Sequence, residues 1–134
     1  MISISELRLG NQVLQKAGSR IVPVAFDYAH FEHVAREGAK DYYPVVLRAG
    51  LLEQCGFTEN KDYPLLPDAR EFILVLPVAG SHRNEIRAYI KNNKECFGRA
   101  VLDGFPASNN FYHLHQLQNL CFALTGQELP LVLS

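Results

Sequence analysis

No Lys, Arg, Asp or Glu lies between Gly104 and Gln127, and the second half of this stretch has the apolar spacing of an α-helix. A helix on a protein surface normally keeps one charged face in contact with water. Here that face offers only His, Gln, Asn and Phe side chains. We therefore expect both faces of the helix to be covered, either by the rest of this chain or by a second subunit.

At about 100° per residue, this final helix divides into two faces. The apolar stripe consists of Leu114, Leu117, Leu120, Cys121 and Leu124. The other face, which we call the polar helix face, consists of His115, Gln118, Asn119 and Phe122. Three interpretations of it stay open. Its amides hydrogen-bond buried backbone groups of the same chain, or it contacts a partner protein with Phe122 as the anchor, or His115 and Asn119 bind a ligand, which the sequence favours least.

The composition is that of an ordinary globular protein, with 48% hydrophobic and 20% charged residues. We expect residues 1–134 to form a single domain, with 1–57 and 58–134 as candidate sub-units. The net charge of -1 provides no long-range field that would attract nucleic acid or a membrane, and it makes self-association easier. The sequence therefore favours a protein partner, or a second copy of the chain, over nucleic acid.

The expected compartment is the cytoplasm. The first residues lack the pattern of a signal peptide, and no apolar run is long enough to span a bilayer. The three cysteines, Cys55, Cys96 and Cys121, form no CxxC pair. We interpret them as reduced, buried, small hydrophobic residues.

Alternating and β-rich segments predict several strands, two pairs of which form hairpins around the turns at 16–19 and 92–93. The predicted strands are 9–15, 20–26, 42–46, 71–78, 86–91 and 95–102, with the apolar tail at 129–133 as a candidate edge strand.

Helix signals are fewer. The segment between Asp27 and Gly38 is either a helix capped at both ends or a third strand, and both readings stay open. A short helix is predicted at 47–55 and a loop at 60–67. Asn109 or Asn110 is the predicted N-cap of the final helix, which should end at 125.

The resulting order, β-β-(α)-β-α-β-β-β-α, predicts an α+β fold with antiparallel pairing. We expect a small N-terminal β unit, SH3-like in outline, followed by an antiparallel sheet that is backed by the C-terminal helix.

Three sequence blocks carry a resemblance: LRLGN at 7–11, the segment 44–57 with its Leu-rich helix ending in Gly-Phe, and HQLQNLCFALTGQEL at 115–129. With these blocks the chain resembles a family of small, uncharacterised bacterial and phage-borne proteins. It departs from the family pattern at Cys121, where Tyr is usual, and at 48–50, where Arg-Ala-Gly replaces a polar, acidic helix start. The resemblance implies the fold unit and a phage or mobile-element setting, and it implies no catalytic activity.

Metal and cofactor chemistry have little support in the sequence. Asp27, His30 and His33 would share one face of a helix, with Glu37 nearby, but no second cluster completes a ligand set. No phosphate-binding glycine motif occurs, so we expect no cofactor. The acidic residues look scattered: Glu6, Asp27, Asp68, Glu71, Glu85 and Glu95.

Basic residues cluster on the second predicted hairpin, with Tyr89 and Phe97 among them. They are Arg83, Arg87, Lys91, Lys94 and Arg99. Such a hairpin could lie along nucleic acid, or its charges could simply guard a solvated sheet edge. Glu85 and Glu95 dilute the basic patch.

Taken together, these features favour a non-catalytic interaction or structural protein of phage or mobile-element type, working as a homo-oligomer or with a protein partner. The alternatives are a nucleic-acid-binding accessory domain on the basic hairpin, and a small metal-dependent enzyme at Asp27, His30 and His33.

Overall fold

A computed structural model describes residues 2–62, 68–77, 84–91, 95–129 and 131 of the chain. After a 3-10 turn at Ile4–Glu6, the elements in chain order are β1 (Gln12–Ala17), β2 (Arg20–Ala25), α1 (Tyr28–Glu37), β3 (Tyr42–Tyr43), α2 (Ala49–Gln54), β4 (Thr58–Asn60), β5 (Ala69–Val75), β6 (Asn84–Lys91), β7 (Glu95–Leu102), β8 (Phe105–Pro106) and α3 (Leu114–Thr125). The predicted α+β class is confirmed.

The N-terminal unit is a three-stranded antiparallel sheet in the order β2-β1-β3. Its hairpin places Gln12 opposite Ala25 and Ala17 opposite Arg20, so the turn is shorter than the predicted 16–19 and comprises residues 18–19. The side chains that form its small core are Ile2, Val13, Phe26, Val34 and Tyr42. The SH3-like outline stays a prediction.

The segment after β2 is a helix and not a strand. Asp27 Oδ1 accepts a hydrogen bond from the main-chain N–H of His30 at 3.2 Å, while His30 Nδ1 accepts one from the N–H of Asp27 at 3.0 Å. At the other end, Gly38 adopts φ +83° and its N–H bonds the carbonyl of Val34. These reciprocal caps satisfy backbone groups that a helix end otherwise leaves open.

The larger sheet is antiparallel, in the order β4-β5-β6-β7-β8. Because side chains alternate along a strand, the even-numbered residues of β5 to β7 share one face. That face packs on α2 and α3 around the main core, whose fully buried members include Leu52, Phe72, Ile86, Leu114 and Leu117. The apolar stripe of α3 therefore faces the sheet, as predicted.

Two predictions of detail were wrong. A strand, β4, forms at Thr58–Asn60, so the predicted loop cannot start at residue 60. Neither Asn109 nor Asn110 caps α3, because the chain stays extended as far as His113. There, Gln116 Oε1 accepts the main-chain N–H groups of Tyr112 at 2.7 Å and His113 at 3.1 Å.

Some predictions fall outside the described residues: the turn at 92–93, the end of the 71–78 strand, most of the 60–67 loop and most of the tail at 129–133. Of that tail, Leu129 is buried and Leu131 packs on the core. No helix among the described residues has the length and apolar character needed to cross a membrane.

Candidate functional site

The amides of the polar helix face bind the N-terminal segment of the same chain. Gln118 is 2% exposed, and its Oε1 accepts the main-chain N–H of Gln12 at 2.8 Å. Asn119 Oδ1 accepts a hydrogen bond from Asn11 Nδ2 at 2.8 Å, while its Nδ2 donates to the carbonyl of Glu6 at 2.7 Å. For these two residues, the intramolecular interpretation is confirmed.

The other two residues of the polar helix face differ in exposure. His115 is 1% exposed, and neither of its ring nitrogens has a hydrogen-bond partner. Burial lowers its pKa, against the opposing effect of Glu6, whose carboxylate lies 3.9 Å from Nε2. Phe122 is 40% exposed, with the Arg8 guanidinium 4.4 Å from its ring centroid. Phe122 is therefore the member of this face most available to a partner.

The basic hairpin carries its own counter-charges. The Arg87 guanidinium forms an ion pair with Glu85 and lies 3.9 Å from Glu71, and both carboxylates are buried. Arg99 lies opposite Arg87 in the β6–β7 ladder, and its Nε is buried without a hydrogen bond. Two like charges placed opposite each other need such neighbouring carboxylates.

Of the candidates for nucleic-acid contact that the structure describes, Lys91 is also paired with a carboxylate. Lys91 pairs with Asp68 at 3.7 Å. Arg83 and Lys94 lie outside the described residues. Phosphate binding depends on uncompensated positive charge, and among the described cations of the hairpin Arg87 and Lys91 are paired, whereas Arg99 forms no ion pair with a described residue.

Sequence reasoning missed a buried polar cluster on the sheet face that points away from α3. The acidic residues are not all scattered, because the strand register brings Glu71 and Glu85 to the same guanidinium. Asn60 Nδ2 donates to Glu71 Oε1 at 2.7 Å. Burial raises the pKa of Tyr89, and Glu71 raises it further. The signal was available: positions 85, 87 and 89 alternate along one strand, so they share a face.

A cavity of about 580 Å³ opens beside this cluster, with Thr58, Asn60, Ile73, Val75 and Arg87 among its lining residues. The guanidinium in its wall is already paired with a buried carboxylate. The cavity therefore presents no free cation to an anionic ligand, and the cluster is best explained as the polar cross-link of β4, β5 and β6.

The candidate metal ligands do not converge. His30 caps its own helix, and His33 makes contacts through both ring nitrogens, with Tyr42 Oη at 2.8 Å and Glu37 Oε2 at 2.9 Å. Across the described ranges, no three His, Cys, Asp or Glu side chains are grouped closely enough to hold a metal ion.

The cysteines are buried, free thiols. Burial raises the pKa of Cys55 to about 12 and that of Cys96 to about 11, and it also raises the pKa of Cys121. The thiolate is the reactive form of cysteine, so these three side chains are poor nucleophiles at neutral pH.

An exposed apolar surface lies on the segment between β3 and α2. Val45 and Leu47 point into the core, so Val46 between them points outward and is 57% exposed. The segment is fixed by a bridge between Val46 and His113 and by the hydrogen bond from Leu114 N–H to the Val45 carbonyl. The sequence analysis did not single out Val46 or its segment, because a single exposed Val is common in proteins.

Three adjoining cavities meet at Val46. The first, about 400 Å³, is walled by Pro23, Pro44 and Arg48 among others. The second, about 350 Å³, is walled by Glu95, Phe97 and Tyr112, and the third, about 300 Å³, by Arg48 and Glu95. We call Val46, Arg48, Glu95 and Tyr112 the Val46 surface; Tyr112 is 50% exposed.

The fold and these surfaces define only a class of protein: an α+β chain that, in its described residues, has two antiparallel sheets and an exposed apolar surface between α2 and β7. No family model, curated protein or solved structure matches the chain.

Proposed function

We propose that this protein works through contacts with other proteins and does not itself catalyse a reaction. The Val46 surface is the single observation that carries the proposal. The phage or mobile-element setting that we propose with it is supported only by the resemblance of the three sequence blocks.

The composition of the Val46 surface supports a protein partner. The side chains of Val46 and Tyr112 are 57% and 50% exposed, respectively. Charged residues border this apolar centre. An apolar centre with aromatic residues and a polar rim is typical of protein interfaces. Three cavities of about 300 to 400 Å³ side by side suit several side chains of one partner better than a single small ligand.

The nucleic-acid alternative has weaker support. Arg87 is compensated by Glu71 and Glu85, and Lys91 by Asp68, so among the described cations of the hairpin Arg99 alone offers unpaired charge to phosphate.

A photo-cross-linking amino acid at position 46 tests the proposal in the cells that make the protein. We expect a covalent adduct with a protein after irradiation. The matched control is the same amino acid at Tyr28, which is 76% exposed on α1 and far more accessible to chance collisions. Equal labelling from both positions, or none from position 46, would contradict the proposal.

A further inference from the structure

The Val46 surface carries charges of both signs beside its apolar centre. Val46 lines all three cavities, Arg48 lines the 400 and 300 Å³ cavities, and Glu95 lines the 350 and 300 Å³ cavities. Arg48 and Glu95 therefore share the 300 Å³ cavity with Val46, so a cation and an anion both border the exposed aliphatic side chain.

Both charges are open to a partner. Arg48 and Glu95 are exposed, and neither forms an ion pair within the part of the chain that the structure describes. Two neighbouring cations are engaged elsewhere. Arg70, which lines the 300 Å³ cavity, binds Glu59 through two hydrogen bonds that lower the pKa of Glu59, and Lys91, opposite Glu95 in the ladder, pairs with Asp68.

Such an arrangement is complementary to itself. In an interface with two-fold symmetry, each residue contacts the partner at the position that contacts it in return. With a two-fold axis near Val46, Arg48 of one copy would meet Glu95 of the other, twice, beside the two Val46 side chains. A surface with a single sign of charge would instead repel its own copy.

We propose that the partner at the Val46 surface is a second copy of this chain, bound about such an axis. The inference rests on the proposed function and names its partner. The net charge of -1 opposes the association of two copies very little. The ion pairs supply orientation and specificity, while burial of Val46 and Tyr112 supplies the apolar contribution to affinity.

Charge reversal tests this geometry, with solution mass measured by light scattering across a concentration series. We expect the wild type to be a dimer. Arg48→Glu and Glu95→Arg should each raise the dimer dissociation constant roughly tenfold or more, because each variant sets like charges face to face. Both positions are exposed, and Arg48 makes no side-chain cap to α2, so folding should persist; circular dichroism checks this.

The decisive sample is an equimolar mixture of the two single variants. Each heterodimer would regain two opposite-charge pairs, and the double variant Arg48→Glu/Glu95→Arg would regain them in a homodimer. Both samples should therefore dimerise like the wild type. Tyr28→Ser, which changes an exposed aromatic residue elsewhere, should leave the dissociation constant unchanged.

The inference would be overturned if the wild type is a monomer at all concentrations. It would also be overturned if the charge reversals leave the dimer dissociation constant unchanged. The cross-linking experiment separates this failure from that of the proposed function. An adduct at position 46 with a different protein, beside a monomeric wild type, would overturn the second copy as partner and leave the interaction function standing.

Discussion

Gly98 is the position where the structure makes the sharpest quantitative prediction. A Cβ atom added there would lie 2.2 Å from Cζ of Phe111 and 2.5 Å from the main-chain carbonyl oxygen of Arg87. Rotating the ring cannot relieve the second contact, because the carbonyl belongs to the neighbouring strand of the ladder. Overpacking of a filled site costs about 1–3 kcal/mol, so we expect Gly98→Ala to lower the free energy of unfolding by about 3 kcal/mol.

Urea unfolding followed by circular dichroism measures this cost, and Gly50→Ala is the matched control. Gly50 lies in α2 with no atom within 4 Å of the added Cβ, so alanine should stabilise the protein by about 0.5–1 kcal/mol. Displacing Phe111 should also move Tyr112 and weaken cross-linking from position 46. A Gly98→Ala protein within about 0.5 kcal/mol of the wild type would refute the reasoning.

Three further predictions concern buried groups. Gln118→Ala removes the acceptor of a buried N–H in β1 and should cost about 1–3 kcal/mol by urea unfolding, whereas exposed Gln127→Ala should cost almost nothing. Burial lowers the pKa of His115, so the unfolded chain binds more protons and stability should fall as the pH drops below about 6.5; a His115→Gln variant with the same pH profile would contradict this. Cys55 and Cys96 should react with a thiol reagent only as fast as the protein unfolds, so rapid labelling of the native protein would show that their burial is overstated.

Local sequence signals predicted most of the helices and strands, and they failed where tertiary contacts override propensity. Asp27 and Gly38 cap α1 because their side-chain and backbone chemistry acts within a few residues. In contrast, β4 consists of Thr, Glu and Asn, two of which are poor strand residues, and it forms because β5 offers a partner edge.

The start of α3 shows the same conflict. Asn109 and Asn110 are good N-cap residues by chemistry. However, Phe111 exchanges two main-chain hydrogen bonds with Gly98, and the Leu114 N–H bonds the Val45 carbonyl. These long-range bonds hold the chain extended until His113, and no pattern local to 109–114 reveals them.

In the candidate sites, too, local sequence features predicted part of the structure and long-range contacts decided the rest. The absence of charge on the polar helix face correctly predicted that the face is largely covered, since His115 and Gln118 are buried. The segment 6–12 covers this face through hydrogen bonds between residues more than 100 positions apart in the sequence, and local patterns cannot predict such contacts. Glu71 and Glu85 likewise meet at Arg87 only through the strand register.

Electrostatics then distinguishes the two surfaces that could serve as interfaces. On the outer face of the sheet, the carboxylates of Glu71 and Glu85 are buried against Arg87, so removing the guanidinium would leave buried charge without its cation and should destabilise the fold itself. At the Val46 surface, Arg48 and Glu95 remain in water, and reversing either charge should leave the fold intact. A charge that can be reversed without unfolding the protein, beside an exposed apolar side chain, is free to determine which partner binds. The Val46 surface meets that condition, and the basic hairpin at Arg87 does not.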